Sequence, residues 1–349
     1  MARRSICLCT VQAPFITGGA EILAGELAGQ LKARGYLVDS VNIPFKWYPV
    51  GDLVKQALLW RWLELTESNG TPIDMVIATK FPSYLVRHPV KMTWLFHQHR
   101  EVYDLYGTAY CSFTDDPEEQ EIRQTIIRMD NKTLRESRAI YTISRNVSDR
   151  LRRYNGIEST PLYPPPRYGA RYRSGDFGDY ALFAGRFDPL KRCDLLVEAF
   201  RHVPPKARLV LAGTGPQRQN LERQVERLEL QERVVFAGFV PEEELLDLYA
   251  GAFAVVYAPL DEDYGYVTVE AFLSGKPVVT CTDSGGTLEF VEHEVSGLVV
   301  EPQPEALGRA IAALYSNRTE ARDMGEAGRP KVGGIAWERV IEALTAPLR

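Results

Sequence analysis

At 349 residues, 45% hydrophobic and 25% charged, the chain is too long for one ordinary core and suits two globular domains of roughly 150–180 residues, which excludes a disordered or fibrous protein. No run of about 18 apolar residues occurs, and the short apolar stretch 6–11 behind Arg3 and Arg4 lacks the length of a signal-peptide core, so a cytoplasmic protein is expected. The net charge of −5 is uneven: residues 1–175 hold 23 Lys+Arg against 18 Asp+Glu and the remainder 18 against 28, a basic first half that suits an anionic or membrane-surface partner or reflects ordinary variation between two domains.

The chain opens on a strand at 6–11, in which Cys7 and Cys9 share one face. Five cysteines without a C-x-x-C pair or a nearby histidine read as buried reduced thiols, not a zinc site. The loop Thr17-Gly18-Gly19-Ala20-Glu21 leads into a helix with apolar Ile22, Leu23, Leu27 and Leu31, stopped at Gly35, and 36–41 returns as a strand. This is a βαβ unit and implies a parallel sheet. A helix over 52–65 presents Leu53, Ala57, Trp60 and Leu63 or Glu64 at helical spacing. Strands follow at 75–78 and 92–96, then a polar helix at 122–137 and a strand at 139–143. Tyr163-Pro164-Pro165-Pro166 breaks the pattern, which stays irregular to about Asp179.

Alternation then restarts, with strands at 180–184, 208–212, 234–236, 254–258, 278–281 and 297–300 and helices at 193–200, 220–228, 242–250, 267–274 and 305–315. The expected organisation is a Rossmann-like acceptor-binding domain over 1–165, a linker over 166–179, a Rossmann-like donor-binding domain over 180–332 and a closing helix over 333–349. Doubly wound sheets bind ligands beyond the carboxyl ends of their strands, so both domains can face one cleft.

The residues with the most chemical content lie in 261–270, Asp261-Glu262-Asp263-Tyr264-Gly265-Tyr266-Val267-Thr268-Val269-Glu270. Two glutamates eight apart flank a glycine where a loop opens a helix, and a continuous helix would separate them by about 12 Å. That suits an extended ligand gripped at both ends through hydroxyl groups, while the amides of 264–267 can meet an anion. Gly185-Arg186-Phe187-Asp188-Pro189-Leu190-Lys191 offers a glycine for close backbone approach and two cations able to clamp a diphosphate. Such cations stabilise a leaving group that gains charge. Gly18-Gly19 and Ser284-Gly285-Gly286-Thr287 are further glycine turns at helix starts.

Taken together these segments resemble glycosyltransferase family 4 and its GT-B fold. The likeness extends to 212–216 (AGTGP), 236–245 (FAGFVPEEEL), 284–291 (SGGTLEFV), 297–302 (GLVVEP) and the closing Ile335-Ala336-Trp337-Glu338, which resembles the family's helix crossing back to the first domain. The resemblance implies a retaining hexosyltransferase that needs no cofactor or metal and takes a nucleotide-sugar as substrate. Glu262 would contact the donor sugar and Glu270 the ribose. Arg186 and Lys191 would bind the diphosphate, as would the backbone at Gly18 and Gly19, and Gly185 and Gly213 would belong to the donor-binding set. Phe239 and Val240 would pair with the base, and Tyr264, Gly265, Tyr266 and Val267 would complete the donor site. Arg192 stands where the family usually has glycine, and Leu260 where it often has serine. The Lys191-Arg192 version, with 261–265 (DEDYG) and the Tyr-Pro-Pro start of the linker, looks like the mannosyltransferases of bacterial surface-polysaccharide assembly, which makes GDP-mannose the expected donor.

Asp261-x-Asp263 mimics the metal signature of a different glycosyltransferase fold, but here it reads as loop acids beside Glu262. His97 and His99 follow a strand, and either can orient or deprotonate an acceptor hydroxyl. The family carries a similar histidine, which favours His97. His88, His202 and His293 read as incidental. The acceptor is expected to be a glycan, a lipid-linked group or a small molecule. The aromatic and basic stretches 45–48 and 58–62, with Arg145, Arg150, Arg152 and Arg153, suit either peripheral contact with the inner membrane face or core packing and a solvated surface. No basic-aromatic module for nucleic acid is present. Rival readings are another GT-B enzyme, of epimerase, phosphorylase or synthase type, and an inactive donor-binding scaffold.

Overall fold

A computed structural model describes residues 3–15 and 18–348; Thr17 of the first glycine turn lies outside them. The chain divides into two units, one of residues 1–167 with 336–349 and one of residues 168–335. The stretch read as a linker, 166–179, is split by this division, since its part from Tyr168 onward groups with the second unit.

The first unit runs β1 (Ser5–Gln12), α1 (Gly19–Ala33), β2 (Leu37–Pro44), α2 (Leu53–Trp62), a small hairpin of β3 (Glu67–Ser68) and β4 (Thr71–Pro72), β5 (Met75–Ala78), β6 (Lys91–Leu95), α3 (Pro117–Leu134), β7 (Ala139–Thr142), α4 (Arg145–Asn155) and β8 (Thr160–Pro161). Its main sheet has the order β2-β1-β5-β6-β7-β8, parallel throughout. β5 and β6 are buried along their whole length, as a parallel sheet covered on both faces requires. α3 starts where the Asp116 carboxylate accepts the amides of Glu118 and Glu119, with Pro117 in the first turn. α4, which the sequence reading did not register, is capped by the Ser144 hydroxyl at its start and by left-handed Gly156 at its end. Its Arg150 is buried, with Nε 3.4 Å from Asp104, so it belongs to neither the solvated face nor the headgroup surface expected of it.

The second unit runs β9 (Tyr180–Ala184), α5 (Cys193–Ala199), β10 (Arg208–Ala212), α6 (Arg218–Arg227), β11 (Val234–Gly238), α7 (Glu242–Gly251), β12 (Ala254–Val256), α8 (Tyr266–Leu273), β13 (Val278–Cys281), β14 (Gly297–Val300), α9 (Pro304–Ser316) and α10 (Arg318–Val332). Its sheet order, β11-β10-β9-β12-β13-β14, is also parallel and reverses between β9 and β12. α10 is a second helix missed from sequence, because Gly325, Gly328 and Pro330 obscure its pattern. Those glycines allow close packing: a Cβ on Gly325 would lie 2.1 Å from the Gly275 carbonyl oxygen, and one on Gly328 would lie 2.3 Å from the Phe272 ring.

α11 (Trp337–Thr345) returns to the first unit and buries Val340, Ile341 and Leu344 there. Trp337 meets Trp94 edge-on at 6.3 Å, and the buried Trp94 indole donates to the Leu162 carbonyl at 3.0 Å. The Arg34–Glu338 pair at 2.7 Å adds little, since Glu338 is largely exposed.

All five tryptophans, at positions 47, 60, 62, 94 and 337, lie in the first unit, so tryptophan fluorescence reports on that unit alone. Leu344→Ala is expected to lower the stability of its urea transition by about 2–5 kcal/mol, while a probe placed in the second unit records an unchanged transition.

Candidate functional site

Ligands of doubly wound sheets sit where the strand order reverses. In the second unit that point lies between β9 and β12. Gly185, Arg186 and Lys191 follow β9, and Asp261 to Gly265 follow β12. The two loops are joined directly, Leu260 N–H donating to the Leu190 carbonyl at 2.8 Å.

Here the structure brings Lys191 and Glu262 together. The Lys191 ammonium forms an ion pair with Glu262 Oε2, and the Tyr257 hydroxyl lies 3.1 Å from Lys191 Nζ and 2.9 Å from that same oxygen. Burial by itself would lower the Lys191 pKa, but the Glu262 carboxylate and the Tyr257 hydroxyl reverse this and hold it above its ordinary value. Burial and the Glu262 charge likewise raise the Tyr257 phenol, which stays protonated. An ammonium has three donors, and among the described residues two of those of Lys191 are engaged, by Tyr257 and Glu262.

Glu270 stands within α8, one turn beyond its start. Its Oε2 accepts from the Tyr249 hydroxyl at 2.6 Å, and Tyr172 packs edge-on against Tyr249 at 5.6 Å. Burial raises the Glu270 carboxyl above its usual range and raises Tyr249 as well. Each glutamate therefore accepts from a tyrosine hydroxyl, and Glu262 is in addition paired with an ammonium.

Two glycines have conformations that side chains resist. Gly213, at the end of β10, has φ 150°, and a Cβ there would sit 1.8 Å from the Gly185 carbonyl oxygen. Gly265, with φ 80°, caps α8 in the left-handed region and lies against Thr287 and Glu262. Tyr264 and Tyr266 meet edge-on at 5.0 Å, and Val267 is buried. Gly238 accepts the Gly213 amide at 2.7 Å, which sets Phe239, 85% exposed, and the partly exposed Val240 beside the Gly213 loop. Arg186 is exposed, and among the described residues no hydrogen-bond partner is found for its guanidinium.

Gly18, Gly19 and His97 belong to the first unit. The Gly18 amide is occupied by Glu21 Oε2 at 2.9 Å, and the other Glu21 oxygen pairs with Lys80 at 2.7 Å. His97 is partly exposed, with Nδ1 2.8 Å from the Gln98 carbonyl, which leaves Nε2 as its basic nitrogen in that tautomer. Gln98 anchors this loop by donating to Asn155 at 2.5 Å. His99 is instead enclosed by Phe45, Phe81 and Phe113, with a stacked contact to Phe81 at 5.5 Å, and its Nε2 is buried without a hydrogen bond among the described residues. Among those residues no group of three or more His, Cys, Asp or Glu could hold a metal ion.

Tyr257, Tyr249 and the Arg192–Asp283 pair were not singled out from sequence. The tyrosines look like ordinary core positions until the fold sets them against the glutamates.

Two parallel, doubly wound α/β units in one chain define the GT-B architecture. Residues 173–331 match the family described as glycosyl transferases group 1. An uncharacterised glycosyltransferase of Methanocaldococcus jannaschii is 35% identical over 139 residues, 39% of this chain and 35% of that protein. The D-inositol 3-phosphate glycosyltransferase of Nocardia farcinica is 32% identical over 206 residues, 52% of this chain and 46% of that protein. The chain thus spans less than half the length of these relatives. Anabaena HepE, in a crystal structure with UDP and glucose, superposes with a TM-score of 0.72 at 17% identity, over 99% of both chains, which establishes the fold. These likenesses bear out the resemblance to a GT-B glycosyltransferase of the family 4 kind.

Burial and the neighbouring His97 lower the His99 pKa from 6.5 to about 4. The folded state therefore keeps His99 neutral while the unfolded state takes up a proton below pH 6.5, so stability is lost as pH falls toward 4. Between pH 7 and 5 the loss from this group is about 2 kcal/mol. Urea titrations followed by tryptophan fluorescence are expected to show it in the wild type, and to show that part of the pH dependence missing in His99→Leu.

Proposed function

We propose that this chain is a retaining hexosyltransferase that moves a hexose from a nucleotide-sugar to a glycan, a lipid-linked group or a small acceptor. The observation that carries the reading is the Lys191–Tyr257–Glu262 cluster at the strand-order reversal, with Glu270 held separately by Tyr249. In this reading Glu262 holds the donor sugar and Glu270 the ribose. Lys191 and Arg186 meet the diphosphate, assisted by backbone at Gly18, Gly19, Gly185 and Gly213. Phe239 and Val240 flank the base. Val267 packs behind the helix start formed by Tyr264, Gly265 and Tyr266, whose amides face the phosphates.

The acceptor hydroxyl attacks the anomeric carbon on the face from which the diphosphate departs. One C–O bond forms to the acceptor as the C–O bond to phosphate breaks. The electron pair leaves with the diphosphate, whose oxygen takes the acceptor proton. His97 orients the acceptor hydroxyl. The donor is GDP-mannose, on the strength of the Lys191-Arg192 and 261–265 resemblance, and neither a metal nor a further cofactor takes part. The protein works in the cytoplasm and touches the inner membrane face through α2. No helix among the described residues is long and apolar enough to cross a membrane, and Leu58, Leu59 and Trp62 are exposed on α2.

Thermal-shift measurements with GDP-mannose, UDP-glucose and ADP-glucose are expected to raise the melting point most with GDP-mannose, since specific binding stabilises the folded state. With the donor so chosen, Glu262→Ala and Lys191→Ala should each cut turnover by about 10²–10³. Wild-type turnover in both variants would refute the assignment.

A further inference from the structure

We propose that Arg192 and Asp283 form a clasp that positions the loop carrying Glu262, and so tune transfer without touching the donor. The inference rests on the reading of Glu262 as the group that holds the donor sugar. Arg192 itself adopts a left-handed backbone, φ 49° and ψ 43°, between Lys191 and α5. A non-glycine residue is disfavoured there by about 1–2 kcal/mol. Four hydrogen bonds of the guanidinium accompany that conformation. Nε donates to the Ala258 carbonyl at 2.7 Å and Nη2 to the Pro259 carbonyl at 2.9 Å. Nη1 and Nη2 grip the two Asp283 carboxylate oxygens at 2.8 and 2.7 Å.

Those acceptors are the two ends of the Glu262 loop's support. Ala258 and Pro259 lead out of β12 toward Glu262, and Asp283 follows β13. The backbone of Asp283 also accepts the Asp261 amide at 2.9 Å, while Glu262 accepts the Gly286 amide at 2.7 Å. A Cβ on Gly286 would lie 2.6 Å from the Asp263 carbonyl oxygen, so the two loops are in close contact. Arg192 thus ties the β12 loop to the β13 loop, and Lys191, its immediate neighbour, meets Glu262 itself. One dipeptide both pairs with the carboxylate and fixes the segment that carries it. Only a planar fork spans this set of acceptors; a lysine retains the charge but reaches fewer of them.

Arg192→Gly is the decisive variant, because glycine accepts the left-handed backbone and removes only the side chain. Its Tm should stay within a few degrees of the wild type. Hydrogen exchange at the Leu260 and Asp261 amides should accelerate at least tenfold, and kcat with the nucleotide-sugar should fall by about 10- to 100-fold, the cost of a misplaced group near the reacting centre. Affinity for UDP and GDP, which lack the sugar, should be unchanged. Asp283→Asn should show the same pattern, the double variant should lose little more than either single one, and Arg192→Lys should fail to restore kcat. Unchanged exchange at Leu260 and Asp261 in Arg192→Gly overturns the clasp, as does an equal loss of UDP or GDP affinity. Wild-type kcat in Arg192→Gly while Glu262→Ala is inactive overturns it as well. If Glu262→Ala and Lys191→Ala are themselves fully active, the proposed function has failed, and the exchange rates alone decide whether the clasp exists.

Discussion

The ion pair between Lys191 and Glu262 is the constraint around which the second unit is arranged. An ammonium and a carboxylate taken partly out of water are tolerated only when each is paired and hydrogen-bonded. Tyr257, rising from the end of β12, supplies the bridging hydroxyl that completes the arrangement. The pair in turn requires the β9 and β12 loops to meet, which the Leu260–Leu190 backbone bond enforces, while the Gly213–Gly185 contact sets the β10 loop against the β9 loop. Strand order, loop geometry and charge therefore support one another at the same place.

Glu270 answers to a different requirement. It lies in the helix behind the loop, where burial favours the protonated acid and the neighbouring phenol of Tyr249 stabilises the carboxylate by donating to it. A carboxyl so placed is suited to hydroxyl groups and unsuited to phosphate. Glu262, tied to an ammonium, sits where negative charge from a ligand would otherwise be repelled. The spacing of eight residues separates these two environments, one on a loop and one in a helix.

Much of this was legible in the sequence, and the limits are instructive. Alternating apolar runs placed both sheets, because fully buried strands such as β5 leave little room for ambiguity. α4 and α10 escaped: one is short and rich in arginine, and the other carries Gly325, Gly328 and Pro330 for packing reasons that only the fold explains. Lys191 and Glu262 stood out by motif, yet their mutual pairing joins positions 71 apart in the chain, which no local pattern encodes. Arg192 was visible only as a departure from glycine. The structure gives the departure a cause, since its backbone is still that of a glycine position. His97 and His99 were hard to separate, because what distinguishes them, an aromatic enclosure drawn from Phe45, Phe81 and Phe113, comes from three distant segments.

The first unit repeats the device in altered form. Its strand order reverses between β1 and β5, and there too a lysine just past one strand, Lys80, pairs with a glutamate, Glu21, on the element after the other. Glu21 reaches back to the Gly18 amide at the start of α1, where the helix dipole favours negative charge. Burial works against its ionisation, but Lys80 and the Gly18 amide bring the carboxyl below its usual range. The carboxylate thus occupies the amide that a phosphate at Gly18 and Gly19 would use. A diphosphate bound there must displace Glu21 from the Gly18 amide or engage the Gly19 amide alone. The same pair of residue types is thus completed differently in the two units, by the Gly18 amide on Glu21 and by the Tyr257 phenol on Glu262.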